Sequence, residues 1–403
     1  MPDKDKIVSF CDTVIEACFY SLLVTVPFSI SFVEIFSSVM IAVWVFKTAM
    51  TKDLGFLRLM PVRILLVVLA WTLLSCINSD YFKESFRGVF KALEYYTIFT
   101  VAAATLGRKD IEKRFYYVLA VSSFLICANG VVQYFTGSDL IRHRALISMD
   151  YLRRISSSFI HPNDFGGYLV IVGAVLSAVS ISSNIRMRIK IISLLPFFVS
   201  MLGLFLTRSR GAWLSFVAAF LIMGAFKARR ILVLFIAVLI VIFVMLPYTV
   251  QEHILSLSDV ASGTTSERLL LWKGTIDMIK VHPFLGFGVN TYSNNFPKYK
   301  PPEYPDVRYT HNCYLHMASE VGIVGAFIFI VFLVVTLMLC LLGVLREKTG
   351  IKKDIAAGLF AGLVGFSLNS MVDTHLYSVT LAVYFYVLLG FCYALIARAD
   401  EKQ

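Results

Sequence analysis

Three arginines and one histidine sit where their charge needs an explanation. In the string LTRSRGAW, residues 206–213, Arg208 and Arg210 occupy a short turn between two apolar runs, with Arg210 opening the second. A helix start exposes unpaired N–H groups and the positive end of its dipole, so two guanidinium forks beside one make a cradle for phosphate or pyrophosphate. Alternatively both snorkel to lipid headgroups or pair with acidic residues. Gly211 follows Arg210 and lets a ligand or neighbouring backbone approach, which favours the anion there.

Arg268 falls in the first turn of a predicted helix, where a cation opposes the dipole. Either Glu267 or Asp277 screens it, or it faces an anionic ligand. His311, in THNCYLHMASEVGIVG (310–325), marks the return of a long polar loop to an apolar run. An imidazole there can move a proton at a substrate-facing helix end, or it is a hydrogen-bonding boundary residue. The five-residue spacing of His311 and His316 puts them on different helix faces, so no metal pair is expected. No Asp-x-Asp site occurs among the loops on this side to hold a divalent ion, which leaves leaving-group charge to arginine. His161, Glu320 and His375 are the next candidate bases. His161-Pro162-Asn163-Asp164 reads as a helix start with Asn163 or Asp164 capping. Gly286-Phe287-Gly288 lacks the preceding strand that a dinucleotide loop requires.

Apolar runs must position these groups. Hydrophobic residues make up 58% of the 403 and charged ones 16%, in runs of roughly 17 to 25, the length that crosses ~30 Å of hydrocarbon. The expected fold is all-α, a polytopic membrane protein of about twelve transmembrane helices. The spans are placed near 13–33, 34–50, 62–77, 86–106, 115–136, 164–183, 189–206, 211–226, 231–248, 315–343, 355–372 and 376–397. The net charge of +11 lies mostly in short turns, where topology accounts for it without nucleic acid. Alternation puts the basic turns at 47–63, 108–114, 186–190, 227–230 and 346–353 on one side, so both termini are expected in the cytoplasm. The N-terminal segment lacks a cleavage pattern and is expected to be retained as an anchor.

Three blocks follow: spans one to nine in 1–248, a long extracytoplasmic loop in 249–314, and the last three spans in 315–403. Within the loop, Thr264 and Glu267 have capping-box spacing, and Leu269, Trp272, Ile276 and Ile279 recur at helical intervals until His282-Pro283. This predicts an amphipathic helix over 265–281 at the membrane surface. The seven cysteines show no C-x-x-C or Cys/His spacing, so neither a disulfide framework nor a zinc site is implied. Cys313, nearest the candidate site, reads as a packing residue.

The strings FIHPND, LTRSRGAW, ERLLLWKGTIDMIKVHPFLGFGVNTY and THNCYLHMASEVGIVG, with this layout, resemble the O-antigen ligase family from about residue 155 to 345. The resemblance implies a C-type glycosyltransferase-like architecture in the bacterial inner membrane, with its active site facing the periplasm. It implies an undecaprenyl-pyrophosphate-linked glycan as donor, and lipid A core or another glycan as acceptor, with membrane lipids around it. It further implies that Arg210 and Arg268, and less firmly Arg208, contact the pyrophosphate, and that His311 acts on the acceptor hydroxyl. The expected reaction is an inverting transfer without metal or cofactor. A polymerase extending a lipid-linked glycan shares these motifs, although the paired R-x10-G motifs of some polymerases are missing from the outer loops. A polysaccharide transporter could use Arg208 and Arg210, but it has no need of a His-bearing outer loop.

Overall fold

The computed structural model describes residues 4–108, 110–149, 152–182, 186–227, 264–300 and 309–396. The expected ninth span at 231–248, and most of the loop up to 263, lie outside the described residues. Helices dominate the rest: α1 (Lys4–Thr25), α2 (Ile30–Thr51), α3 (Met60–Ser75), α4 (Phe82–Thr105), α5 (Ile111–Thr136), α6 (Pro162–Ser180), α7 (Met187–Thr207), α8 (Arg210–Lys227), α9 (Thr264–Val281), α10 (Cys313–Arg346), α11 (Ile351–Asn369) and α12 (Val379–Ile396).

By length and apolar composition, eight of the described helices can cross a membrane, namely α1, α2, α3, α5, α6, α7, α10 and α12. The chain is a multi-pass membrane protein. Three further helices fall where spans were expected: α4 carries Lys83, Glu84, Arg87, Lys91 and Glu94, α11 opens on Lys352-Lys353-Asp354, and the apolar stretch of α8 is shorter.

Two expectations need correction. The first two spans do not divide at residue 33 but at 26–29. The apolar run continues through this point, so composition hides it. Pro27 lies in the turn and Ser29, in extended conformation, accepts from the N–H of Phe32 at 3.4 Å to begin α2. The loop after α5 is not wholly irregular either: β1 (Ile147–Met149) and β2 (Leu152–Arg154) form an antiparallel hairpin with Ile147 opposite Arg154.

The centre of the bundle is α6, α11 and α12, whose residues are almost all buried. α6 packs against α7, α8 and α11, while α12 packs against α4 and α11. Small residues set this closeness: a Cβ on Gly358 would lie 2.7 Å from the Cα of Val175, and one on Gly362 would lie 2.8 Å from that of Ile171. Where lipid tails are as apolar as leucine, such close approach rather than hydrophobic exclusion drives helix association. At one end of the bundle, Lys47 and Arg108 pair with Asp12 of α1, and Arg114 pairs with Glu16 at 2.8 Å. The other end of α1, the turn at 26–29, borders the candidate site.

The helix at 264–281 is present, but its faces differ from the expected pattern. Leu271, Met278 and Ile279 are buried and Trp272 partly so, whereas Leu269 and Ile276 are exposed. The side chain of Thr264, and with it the capping box, lies outside the described residues. α9 packs against α10, and the Trp272 indole N–H donates to the carbonyl of Thr310 at 3.1 Å.

α10 is broken at Gly322, where φ is 74°. The loop segment Pro283–Gly288 fills the break. Phe287 N donates to Ser319 O at 3.0 Å, Gly288 N to Glu320 O at 2.9 Å, and Ile323 N to Pro283 O at 2.8 Å, while the Trp71 indole donates to Val321 O at 3.0 Å. Backbone groups released by the kink are therefore paired, as a low-dielectric setting requires. The Gly-rich bend is a backbone brace, which explains its glycines without any phosphate.

Candidate active site

The site is built where the turn between α7 and α8 meets the start of α10. Arg208 ends α7 in a left-handed conformation, with φ of 51°, and Arg210 opens α8. The β2 edge docks on this turn, Ile155 N donating to Leu206 O at 3.2 Å and Arg154 Nε to Thr207 O at 3.0 Å. Arg154 Nη2 also donates to Asn163 Oδ1 at 2.8 Å, and Asn163 Nδ2 donates to Asp373 Oδ2 at 2.6 Å. The guanidinium of Arg154 is thus fixed along two directions.

His311 lies just before the cap of α10. Asn312 accepts from the N–H groups of Tyr314 and Leu315, both at 3.0 Å, which starts the helix. His311 takes φ of 52°, a left-handed conformation tolerated by histidine more than by most residues. Its Nδ1 is 3.2 Å from Asp373 Oδ1. The histidine side chain is 42% exposed and the aspartate 12%, so the imidazole is open to a substrate while its partner is largely enclosed.

Asp373 sits in the connection from α11 to α12. Its Oδ1 also accepts from Thr374 N at 2.9 Å. Cys313 holds this connection: its N–H donates to Ser370 O at 2.8 Å, its thiol to Asp373 O at 3.3 Å, and it accepts from Leu376 N at 3.4 Å. The packing role expected of Cys313 is visible in these contacts. Burial would push the Asp373 carboxyl up, but the hydrogen bond from His311 and the charges of His375, His311 and Arg268 hold it well below the usual carboxylate range.

Arg268 approaches the same carboxylate, its Nη2 lying 3.9 Å from Asp373 Oδ2. Burial lowers the pKa of Arg154, as do the positive charges of Arg268 and Arg210, against the pull of Asp373. Arg154, Arg210 and Arg268 therefore form one cationic group, drawn from β2, α8 and α9, beside the Asp373 carboxylate. Such a group invites an anion.

A cavity of about 710 Å³ opens beside this group. Arg142, Arg154, Asn163, His311 and Asp373 supply its polar wall, and Pro27, Phe28 and Ile160 part of its apolar one. Arg210 and Arg268 do not line it but border Arg154 and Asp373. Arg208 departs from the group: its guanidinium lies 6.0 Å from the ring centroid of Phe205, and its Nε is buried without a hydrogen-bond partner among the described residues. Gly211 admits side chains rather than a ligand or backbone, since a Cβ there would meet Asn369 Oδ1 at 2.7 Å and Val372.

The other candidate bases are placed differently. His375 is fully buried, with Nε2 2.9 Å from Asn369 Nδ2 and Nδ1 3.6 Å from Asp164 Oδ1. Glu320 is buried against His316, with Oε1 3.4 Å from Nε2. His161 lines the cavity, but its side chain makes no cap hydrogen bond. Sequence reasoning missed Arg154 and Asp373, and it saw Asn163 only as a cap. A charge at the outer boundary of an apolar run, the rule that singled out Arg210, applies equally to both.

Residues 195–330, from α7 into α10, match the family model described as O-Antigen ligase. Over that stretch the chain is similar to the O-antigen ligase family, as the motifs at 206–213 and 310–325 led one to expect. Among solved structures, one described as "Structural coordination of polymerization and crosslinking by a peptidoglycan synthase complex" contains a similar chain, with a TM-score of 0.47 and 15% identity, covering 87% of this chain and 98% of that one. No curated protein matches the chain.

Proposed function

We propose that this protein transfers a glycan from an undecaprenyl-pyrophosphate carrier to an acceptor hydroxyl, with lipid A core as the acceptor, at the outer face of the bacterial inner membrane. The observation that carries this reading is the His311–Asp373 pair on a cavity wall beside Arg154, Arg210 and Arg268. In this reading Asp373 accepts from Nδ1–H of His311, which leaves Nε2 free as the acceptor for a proton. His311 Nε2 takes the proton of the acceptor hydroxyl as its oxygen attacks the anomeric carbon. The bond from that carbon to the pyrophosphate oxygen breaks, and the anomeric configuration inverts.

Arg210, Arg268 and Arg154 offset the negative charge that develops on the departing pyrophosphate, the part a metal ion plays in other transferases. The deep position of Asp373 keeps the imidazole in one orientation. Both termini are on the cytoplasmic side, the basic turns with them, and the site faces the periplasm. The exposed Leu269 and Ile276 face of α9 lies against the membrane surface and guides the prenyl chain.

Reconstitution in proteoliposomes, with lipid-linked glycan as donor and lipid A core as acceptor, tests the proposal. Glycan joined to lipid A core supports it. Glycan lengthened on its carrier points to a polymerase, and glycan moved across the bilayer without a new bond points to a transporter.

A further inference from the structure

A second cavity, of about 580 Å³, lies between α3, α4 and the start of α10. It shares Tyr309, Tyr377 and Val379 with the first, so a single wall separates the two. Its floor holds a buried pair that the proposed reaction does not use. His316 Nε2 lies 3.4 Å from Glu320 Oε1, with the two side chains 3% and 2% exposed. Glu320 Oε1 accepts from Tyr292 N at 3.1 Å, and Oε2 accepts weakly from the Tyr377 hydroxyl at 3.5 Å.

His316 Nδ1 is buried and has no hydrogen-bond partner among the described residues. A buried polar atom left unpaired is costly, so a ligand group at this point is the economical explanation. The imidazole is enclosed by rings, Tyr377 with its centroid 4.0 Å away and Tyr292 at 4.4 Å. At the rim, Ser293 and Asn294 are exposed.

Aromatic faces around a carboxylate and an imidazole, with hydroxyl and amide groups at the mouth, suit a sugar. Its C–H face stacks on a ring while its hydroxyls donate to Glu320 and pair with His316. A prenyl chain has no group to offer His316 Nδ1 and would leave it unpaired. We propose that this second cavity binds the acceptor glycan, in a reading that rests on the glycosyl transfer described above. The attacking hydroxyl must approach opposite the departing pyrophosphate, and the second cavity adjoins the first, which His311 lines, at Tyr309 and Tyr377.

Thiol protection tests this without turnover. All seven native cysteines are buried, so Ser293→Cys, and separately Asn294→Cys, each place a rim thiol open to a membrane-impermeant maleimide on the full-length protein in proteoliposomes. Two probes are used: water-soluble glycans released by mild acid from the source cell's envelope, and undecaprenyl pyrophosphate alone. The glycans should slow labelling of both variants about tenfold, and Glu320→Gln should raise the concentration for half-protection about tenfold, as expected for losing one charged hydrogen-bond partner. No protection by the glycans, equal protection by undecaprenyl pyrophosphate, or unchanged half-protection in Glu320→Gln would each overturn the assignment. Protection without transfer would instead count against the proposed reaction while leaving the cavity's ligand in place, and transfer without protection would do the reverse.

Discussion

Gly286 and Gly322 face one another across the break in α10, each with left-handed backbone, φ of 68° and 74°. A Cβ on Gly322 would stand 1.9 Å from Phe284 O, and one on Gly286 would stand 2.3 Å from Glu320 O. The loop and the helix are therefore locked together by two positions that no side chain can occupy. That lock fixes Glu320 and holds the bend between α9 and Tyr292.

Gly322→Ala should consequently lower stability sharply. With ψ of 169° the Gly322 backbone lies in a region open essentially to glycine alone, which costs roughly 1–3 kcal/mol for a residue with a Cβ, and displacing Phe284 endangers backbone hydrogen bonds worth about 1 kcal/mol each. Thermal unfolding in detergent, followed by loss of monodisperse protein, measures it. An unchanged midpoint would mean that the loop does not brace the helix.

The cationic group depends on guanidinium shape as well as charge. Arg210→Lys and Arg268→Lys keep the charge but lose the planar fork that meets two phosphate oxygens together. Each should weaken donor use by about tenfold or more, with the acceptor KM unchanged, because one charge-assisted hydrogen bond is worth ~1.5–3 kcal/mol. Arg154→Lys should do the same and also release Asn163, since lysine cannot reach Thr207 O and Asn163 Oδ1 together. Arg208→Lys should matter least, as its guanidinium lies over Phe205. Steady-state transfer at varied donor concentration separates these cases, and a fully active Arg210→Lys would reduce its role to a point charge.

Membrane orientation can be read from thiols. Leu140→Cys, in an exposed loop on the cavity side, should react with an impermeant maleimide in intact spheroplasts. Lys348→Cys, in the turn between α10 and α11, should react only after permeabilisation. Reaction of both from the same side would contradict the alternation from which the periplasmic position of the site is argued.

Asp373 gives a pH dependence with a definite sign. Its carboxyl is held below the ordinary carboxylate value in the folded chain, so the folded state binds fewer protons there than the unfolded one. The stability it contributes is present above about pH 4 and is lost as pH falls through the depressed range. Asp373→Asn removes this term. The difference in melting temperature between wild type and variant should therefore be largest near neutral pH and shrink on acidification. A difference that stays constant down to about pH 3 would mean that the carboxylate is not stabilised by folding.

The spans were legible because a run of about twenty apolar residues has few other uses in a folded chain. The placement of two candidate residues was legible too: Arg210 at a helix start and His311 at a loop's return are visible within a few residues of sequence. The break at Pro27–Ser29 was not, because the apolar run passes through it unbroken. Asp373 and Arg154 were missed for another reason. Their partners, His311 and Asn163, come from other elements, and pairing between distant segments leaves no periodic trace. The glycines of Pro283–Gly288 were recognisable as a bend, but their purpose lay in the backbone of α10, which only the packed chain reveals.

His311 carries the most discriminating test. It stands outside the regular part of α10, half exposed, and among the described residues its side chain hydrogen-bonds to Asp373 at 3.2 Å. Its removal should therefore cost stability only about 1 kcal/mol. Proton transfer by a positioned histidine is typically worth ~10²–10⁴ in rate. His311→Ala should insert, express and bind lipid-linked donor, yet transfer glycan at about a hundredth of the normal rate or less. His311→Gln keeps a hydrogen bond to Asp373 but cannot accept a proton, so near-normal activity in that variant would leave His311 an orienting role alone. Asp373→Asn should fall between them, because the imidazole remains as a base while losing the partner that sets its tautomer and balances the charge it gains. The order wild type, Asp373→Asn, His311→Ala in kcat is what a base held by a carboxylate requires. If His311→Ala transfers glycan normally in proteoliposomes, the base lies elsewhere on the cavity wall, and His161 becomes the next residue to replace.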